Sequence, residues 1–238
     1  MARQSRPRGK CAFCGREMTR GGMARHLRAC PERKAAIDPS TTLRMTSQGA
    51  DHKSGKVQKL YHLQVQDAWA GDYWLHLEMN GSAPLSALDR YLRAIWLECC
   101  GHLSGFWRDR AWTGAEISME RRADQVFNIG TTLIHIYDFG TSSETKIKVV
   151  DARKGKPLTP HPIFLMARNN PMEFSCMECD KPATYLCLEC IYELNKSGNL
   201  CDEHAEDHPH EAYGMPMPIV NSPRVGMCGY TGPAEPPY

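Results

Sequence analysis

Residues 57–81 have the sequence VQKLYHLQVQDAWAGDYWLHLEMNG, and this stretch decides the fold. Apolar and polar residues alternate along both of its halves, which is the period of a half-buried β-strand. The alternating apolar residues are Val57, Tyr61, Leu63 and Val65 in the first half, and Tyr73, Leu75, Leu77 and Met79 in the second. Asn80-Gly81 then supplies a tight turn. Two neighbouring strands are therefore predicted here.

Helical spacing follows these strands. The apolar residues that fall on one helical face are Leu85, Leu88, Leu92, Ile95, Trp96 and Cys99. We expect Ser82 to cap this helix, Pro84 to occupy its first turn and Gly101 to end it.

Two more strands are predicted over residues 133–137 and 146–150, joined by a turn through Gly140 and Ser142. Strands surround a helix without a regular βαβ repeat. The expected fold class is therefore α+β, with a small mixed or antiparallel sheet packed with helices and flanked by two small zinc-binding modules.

The composition is that of an ordinary soluble globular protein. The 238 residues are 42% hydrophobic and 24% charged. No run of 18 or more apolar residues predicts a membrane span. The first ten residues are basic and no apolar stretch follows them, so we expect no secretory signal and a cytoplasmic location.

Charge is unevenly distributed along the chain. Residues 1–60 contain 14 Lys/Arg and 4 Asp/Glu, whereas residues 61–238 contain 15 Lys/Arg and 23 Asp/Glu. This asymmetry predicts a basic arm that faces an anion and a different task for the remainder.

Composition and cysteine positions divide the chain into five segments. We predict a basic zinc finger over 1–36, a linker over 37–55, the main α+β core over 56–170, a second cysteine/histidine module over 171–212, and a proline-rich tail over 213–238 that packs on the core.

The chain has eleven cysteines, an odd number, and most of them lie in CxxC pairs near histidines. In a reducing compartment this pattern predicts metal ligands rather than disulfides.

The first cluster has the spacing Cys11-x2-Cys14-x11-His26-x3-Cys30. A CxxC turn, whose conformation is favoured by Gly15, supplies two thiolates. The last two ligands, His26 and Cys30, lie on one face of a helix. Together they predict one tetrahedral zinc site. Phe13, Met23 and Leu27 are its expected small core, which is too little apolar surface to fold without the metal.

Basic residues surround this finger, with ten Lys/Arg against two Asp/Glu over residues 1–36. Lysine and arginine contact phosphates, so the finger is predicted to bind nucleic acid. The alternative is a structural finger whose charges are simply solvated, since one finger contacts only about 3 base pairs. The candidate contact residues are Arg3, Arg6, Arg8, Lys10, Arg16, Arg20, Arg25 and Arg28.

The second cluster offers eight ligands, which are enough for two zinc ions. Together with the first cluster, the whole chain is then expected to bind about three. Its spacing is Cys176-x2-Cys179-x7-Cys187-x2-Cys190-x10-Cys201-x2-His204-x3-His208-x1-His210. It resembles a B-box module over about thirty-five residues, although the gap before Cys201 is longer than usual and the last two histidines are closer.

The B-box resemblance implies interleaved ligands. Cys176, Cys179, Cys201 and His204 would then bind one ion, and Cys187, Cys190, His208 and His210 the other. In the competing assignment, the first four cysteines share one ion. Cys201, His204 and one later histidine bind the second, with Cys228 as an additional candidate ligand. Otherwise Cys228 is a lone thiol, and Cys99 and Cys100 are buried small residues of the apolar helix.

The second module is acidic. Residues 176–213 contain nine Asp/Glu and two Lys, which disfavours a phosphate-binding surface. Because B-box modules are typically protein-interaction platforms, the resemblance implies a protein partner. A zinc-bound structural insert is the alternative.

The segment from Lys59 to Phe174 resembles the plasmid ORF-3-like family, also called transposon passenger proteins. The matching motifs are Tyr61-x-Leu63-x-Val65, Leu85-Ser-Ala-Leu88-Asp89, Trp96-Leu-Glu-Cys-Cys-Gly-His102-Leu-Ser-Gly-Phe106, Ile136-Tyr-Asp-Phe-Gly140, Asn221-Ser-Pro-Arg-x-Gly226 and Cys228-Gly-Tyr. The usual tryptophan after the Asp-Phe-Gly turn is missing. The resemblance implies a compact α+β fold and a mobile-element or defence setting, but no established reaction.

Nothing in the sequence singles out a catalytic site. Walker, Gly-x-Ser-x-Gly and HExxH motifs are absent, and Asp138-Phe139-Gly140 lacks the other kinase motifs. We therefore expect a non-enzymatic binding protein. The alternatives are a pure protein-interaction or inhibitor protein and, third, a metal-dependent nuclease that uses scattered carboxylates and histidines. Its candidate residues are Glu98, His102, Asp109, Glu116, Asp124, His135 and Asp138.

Overall fold

The structure is a computed structural model that describes residues 6–38, 56–210 and 212–238. A largely antiparallel sheet packs with several helices, so the predicted α+β class is confirmed. Arg3 and residues 39–55, which form most of the predicted linker, lie outside the described residues. Within the described part, no helix is long and apolar enough to cross a membrane.

The main sheet is built from nine strands of the described chain. In chain order they are β1 (Arg8–Cys11), β2 (Glu17–Thr19), β3 (Gln58–Asp67), β4 (Trp74–Asn80), β5 (Ser104–Arg108), β6 (Glu116–Ile117), β7 (Thr132–Tyr137), β8 (Ser143–Gly155) and β9 (Ile163–Asn169). Their order across the sheet is β2-β1-β9-β4-β3-β8-β7-β5-β6, and all neighbouring pairs are antiparallel. Each of the four strands predicted from alternation lies within it.

The α-helices of the described residues are α1 (Arg20–Ala29), α2 (Pro31–Ile37), α3 (Leu85–Leu92), α4 (Ala123–Val126), α5 (Leu188–Tyr192) and α6 (Asp202–Glu206), and α3 continues into a π-helical turn over Arg93–Leu97. The predicted helix limits were wrong at both ends. Pro84 takes the cap position, because the Ser82 hydroxyl instead donates to Gln58 Oε1 at 2.7 Å. The helix ends before Cys99, so Gly101 belongs to the following loop.

One face of the sheet carries the main core. The side chains that alternate onto it from β3 and β4 pack against α3, as the sequence pattern predicts. The fully buried members include Tyr61, Leu63, Val65, Leu75, Leu77, Leu88, Leu92, Ile95 and Trp96.

The opposite face is partly covered by the N-terminal finger. Met23 and Leu27 of α1 pack with Trp74 and Met166 in a second buried cluster. Strand β1 also pairs with β9, so the finger contributes strands to the same sheet as the core. The predicted domain limits stay a prediction, but the sheet continues across the limit drawn between finger and core.

The C-terminal module has a small sheet of its own. Among the described residues it comprises β10 (Tyr185–Leu186), β11 (Asn199–Leu200) and β12 (Met217–Pro218), in the order β11-β10-β12. Strand β12 comes from the tail, which then returns to the core. There the Ser222 hydroxyl donates to the Trp96 carbonyl oxygen at 2.5 Å. The tail therefore connects the module to the main core.

Candidate metal centres

Four groups of cysteine and histidine ligand atoms converge in the described part of the chain, and within each group all atoms lie within 4.8 Å of one another. All eleven cysteines are free of disulfides. The groups, numbered here as clusters, are Cys11, Cys14, His26 and Cys30 (first); Cys176, Cys179, Cys201 and His204 (second); Cys187, Cys190, His208 and His210 (third); Cys99, Cys100, His102 and Cys228 (fourth). Sets of four thiols and imidazoles suit tetrahedral zinc.

The first cluster brings together the four residues predicted from spacing. Cys11 ends β1, and a tight turn with Gly15 at φ 70° carries Cys14. His26 and Cys30 come from α1 and its C-cap. The Cys14 Sγ and His26 Nε2 atoms lie 3.2 Å apart. The arrangement is compatible with one four-coordinate metal ion.

In the first cluster, burial disfavours the charged forms of the ligand side chains unless a cation is bound. Burial raises the pKa of the Cys30 thiol to about 11 and lowers the pKa of His26. A metal ion requires thiolates and neutral imidazole, and its charge compensates for their burial. The raised pKa of Cys30 therefore fits a thiol whose charged form needs an ion beside it.

The second and third clusters are interleaved along the chain. His204 Nδ1 lies 3.4 Å from Cys176 Sγ and 3.4 Å from Cys201 Sγ. His210 Nδ1 lies 3.1 Å from Cys190 Sγ. The structure thus groups the ligands as the B-box resemblance implies and does not gather the first four cysteines at one point.

Local structure explains this grouping. Strands β10 and β11 pair and bring Cys187, after β10, and Cys201, after β11, to the ends of one hairpin. Although burial opposes ionisation, backbone N–H groups of Glu178 and Cys201 lower the pKa of Cys176 to about 6. The Cys176 thiol therefore ionises more readily, and the thiolate is the form that binds a metal cation.

The fourth cluster was missed by the sequence reasoning. Cys99 and Cys100 are not buried residues of a helix, because they lie in the loop after it, where Cys99 is half-buried and Cys100 exposed. Cys228 is neither a lone thiol nor part of the second or third cluster, since its Sγ lies 3.7 Å from Cys100 Sγ. The only available signal was the pair of adjacent cysteines followed two residues later by His102.

The predicted nucleic-acid contacts divide into two groups. Arg6, Arg8, Lys10, Arg16, Arg25 and Arg28 are exposed. Arg20 is half-buried and donates to the Gly71 carbonyl oxygen at 2.7 Å. Arg33, counted with the basic residues of the finger, is buried against Glu78. These two arginines hold the finger on the core instead of facing a ligand.

Several of the exposed arginines also have protein partners. Arg28 donates to the Val150 carbonyl oxygen at 2.5 Å and lies 3.5 Å from Asp151. Arg8 donates to the Glu17 carbonyl oxygen at 2.7 Å. Both partners lie at the surface, where ion pairs and hydrogen bonds exchange readily with a bound anion.

Two of the nuclease candidates meet, because His102 Nε2 lies 3.5 Å from Asp138 Oδ2. His102 also belongs to the fourth cluster, and Asp138 forms an ion pair with Arg224 at 2.7 Å. His135 is buried and its Nε2 contacts Asp89 at 2.8 Å. Glu98 contacts Arg93 and Tyr137.

Comparison with known proteins adds little. No family model matches the chain, and no curated protein matches it. One similar solved structure is the crystal structure of a protein of unknown function from Methanosarcina mazei Go1, with 18% sequence identity and a TM-score of 0.39. The match covers 45% of this chain and 67% of that chain, and so weak a likeness carries no argument about function.

Proposed function

We propose that this chain is a non-enzymatic zinc-binding protein of the cytoplasm. It binds nucleic acid through the N-terminal finger and a protein partner through the acidic C-terminal module. The resemblance to the plasmid ORF-3-like family supports a mobile-element or defence setting. The observation that carries the nucleic-acid role is the set of exposed basic side chains on the finger, including Arg25 and Arg28 of α1, together with exposed lysines on the sheet face that the finger partly covers.

The finger helix lies over the sheet face opposite the main core. His76 of β4 points to this face, and its Nε2 lies 3.1 Å from the Arg20 carbonyl oxygen at the start of α1. At the other end of α1, Arg28 contacts the backbone of β8 at Val150. The helix therefore runs from β4 towards β8.

Lysines continue the basic surface beyond the helix. Lys148, Gln64 and His76 are directly opposite one another on β8, β3 and β4, so their side chains share the finger-covered face. Lys146 lies two residues along β8 on the same face. Both lysines are exposed. With Arg25 on α1, they form a surface that suits a phosphate backbone.

A salt titration with matched variants tests this role. One double variant is Arg16→Gln with Arg25→Gln, a second is Lys146→Gln with Lys148→Gln, and the control is Lys154→Gln with Lys156→Gln, which are also exposed. Fluorescence anisotropy on duplex DNA and on RNA gives the affinity at several salt concentrations.

We expect each test variant to lower both affinity and salt dependence, by about 0.9 in the slope of log K against log salt for each lost contact on duplex DNA. The control should bind as the parent does. A parent whose binding is independent of salt, or test variants that bind like the control, would sink the proposed role of the finger.

The C-terminal module supports a second candidate, a pure protein-interaction or inhibitor protein. An apolar patch lies exposed beside the third cluster, with the Tyr192 and Tyr213 ring centroids 5.7 Å apart. Its four large exposed side chains are Tyr192, Leu194, Tyr213 and Met215. Acidic residues outnumber lysines nine to two around it. The partner that fits has apolar side chains surrounded by basic ones.

Copurification from the native host, followed by titration with the purified partner, distinguishes the two candidates. Tyr192→Ser with Met215→Ser should weaken partner binding, whereas Val57→Ser, at another exposed apolar residue, should not. A preparation free of nucleic acid by its 260/280 nm absorbance ratio, but retaining this partner, would favour the interaction protein alone. Equal partner binding by both variants would exclude the acidic module as the docking surface.

A further inference from the structure

The fourth cluster has the dimensions of a tetrahedral metal site. Its Sγ atoms lie 3.5 Å apart between Cys99 and Cys100 and 3.7 Å apart between Cys100 and Cys228. His102 Nε2 lies 2.9 Å from Cys100 Sγ and 3.6 Å from Cys228 Sγ. Four ligands at zinc–sulfur distances of about 2.3 Å give ligand separations of about 3.6–3.8 Å. Three of the four observed separations are close to this range, and the separation between Cys100 and His102 is shorter.

The loop that carries three of the ligands is held by hydrogen bonds from the core. Glu98 Oε1 accepts from the Gly101 amide at 2.6 Å and from the Tyr137 hydroxyl at 2.9 Å. Gly101 has φ 79°, a left-handed conformation that lets the chain turn between Cys100 and His102. The three ligands are thus positioned before any ion binds.

The fourth ligand comes from the tail, 128 residues after Cys100. Cys228 has a left-handed backbone conformation, with φ 50° and ψ 35°. Non-glycine residues rarely adopt this conformation, and those that do cluster at functional sites. Here the conformation turns the thiol of Cys228 towards the core loop.

A buried cation lies beside the cluster. Arg224 is fully buried, and its Nη2 lies 3.5 Å from Cys99 Sγ and 2.7 Å from Asp138 Oδ2. Three thiolates, one neutral imidazole and a divalent ion have a net charge of about −1. Arg224, which also pairs with Asp138, is placed to donate a hydrogen bond to the Cys99 thiolate. The outer hydrogen bonds expected around a metal site are therefore present.

We propose that the fourth cluster binds a zinc ion through Cys99, Cys100, His102 and Cys228, and that this ion fastens the C-terminal tail to the main core. Three thiols and an imidazole favour zinc over magnesium or calcium, which prefer oxygen ligands. Cys100 and Cys228 are exposed, so the ion has a direct path from solvent. Binding releases the thiol protons to solvent and involves no redox step.

The test compares zinc content among full-length variants purified under reducing conditions. Cys228→Ala and His102→Asn each remove one ligand, and His161→Asn is the control, at an exposed histidine outside the four clusters. Inductively coupled plasma mass spectrometry should find about one zinc ion fewer per chain in each ligand variant and no change in the control. Either ligand variant retaining the full zinc content would overturn the proposal.

A second measurement covers the case in which a variant loses all its zinc by misfolding. The parent chain, denatured without reductant, is alkylated and weighed. A zinc site leaves all eleven cysteines alkylated, and about four zinc ions per chain are expected before denaturation. Two cysteines that escape alkylation would indicate a disulfide in the fourth cluster. A content of about three zinc ions per chain would mean that the fourth cluster is empty. Both results contradict the proposal without bearing on nucleic-acid binding.

Discussion

The first and fourth clusters have the same donors, three thiols and one imidazole, but the chain assembles them in opposite ways. The first closes within the segment Cys11–Cys30, on one turn and one helix. The fourth joins a loop after the π-helical turn to Cys228 in the tail. Local spacing therefore reveals one site, whereas only the folded core creates the other.

The two regions also differ in what else holds them. The finger is attached to the sheet by the β1–β9 pairing, by buried apolar packing of α1 and by the ion pair between Arg33 and Glu78. Near the fourth cluster, the tail is held by buried polar contacts, including those of Ser222 and Arg224. We therefore expect loss of metal to disturb a region more when less packing holds that region in place.

Complete metal removal should have the largest effect, and it should be greatest in the C-terminal module. Its buried apolar cluster is limited to Cys187, Cys190, Leu200 and Ala205, two of which are metal ligands. Without an ion, so small a core does not offset the entropy of ordering the chain. After dialysis against a chelator, hydrogen exchange over residues 176–213 should approach that of an unfolded chain, while β3 and β4 stay protected.

Zinc readdition is the control, because it should restore the module's protection. Persistent slow exchange over 176–213, in protein verified to be metal-free, would show that packing alone folds this module. The comparison between packed and metal-dependent regions would then fail.

Glu78→Gln should have the next largest effect, on the attachment of the finger. The buried Glu78 carboxylate binds Arg33 at 3.2 Å and Arg153 at 2.6 Å. Removing the carboxylate leaves the buried Arg33 guanidinium and the half-buried Arg153 guanidinium uncompensated, which costs about 3–5 kcal/mol of unfolding free energy. Urea unfolding checks this value. Glu120→Gln, at an exposed carboxylate, is the matched control, and an equal effect of both changes would contradict the role of Glu78.

The sequence predicted the strands, the α+β class and the first ligand set because each depends on short-range spacing, whereas the division of the second and third sets was implied by the B-box resemblance. Alternation at Tyr61 and Leu63 and the Cys11-x2-Cys14 turn involve neighbours in the chain. The fourth cluster, the burial of Arg33 and the pairing of β1 with β9 depend on residues far apart in sequence. No local period encodes such contacts, so charge counting placed Arg20 on a ligand-binding surface.

Lowering the pH should weaken the attachment of the finger to the sheet, by a smaller amount than Glu78→Gln does. His62 Nε2 and His76 Nδ1 lie 2.8 Å apart, and His76 Nε2 faces the Arg20 carbonyl oxygen. With both rings neutral, the Nε2–H of each ring donates. Burial lowers the pKa of His76 to about 4 and the pKa of His62 well below 6.5, and the charges of Arg28 and Arg33 lower the latter further.

Because the folded pKa is depressed, the unfolded chain takes up protons first. The contribution is complete above pH 6.5 and decreases as the pH falls towards 4. For His76 alone, the unfolding free energy should fall by about 2 kcal/mol between pH 7.5 and pH 5. Urea titrations in zinc-saturated buffer should show a shallower pH dependence for His76→Gln than for the parent, and no change for His161→Gln. An unchanged pH dependence in His76→Gln would exclude this origin.

Ser222→Ala should have the smallest effect, and it tests the polar attachment of the tail directly. The buried Ser222 hydroxyl donates to the Trp96 carbonyl oxygen and accepts from the Arg224 amide at 2.9 Å. Its loss should cost about 1 kcal/mol, because two backbone groups lose a partner. Since Arg224 and Cys228 follow directly, the fourth cluster should release zinc to a colorimetric chelator several-fold faster, while the first cluster releases it at the parental rate. Ser197→Ala, at an exposed serine, supplies the baseline. Equal acceleration of all zinc release would mean that the tail does not hold the fourth cluster separately from the finger.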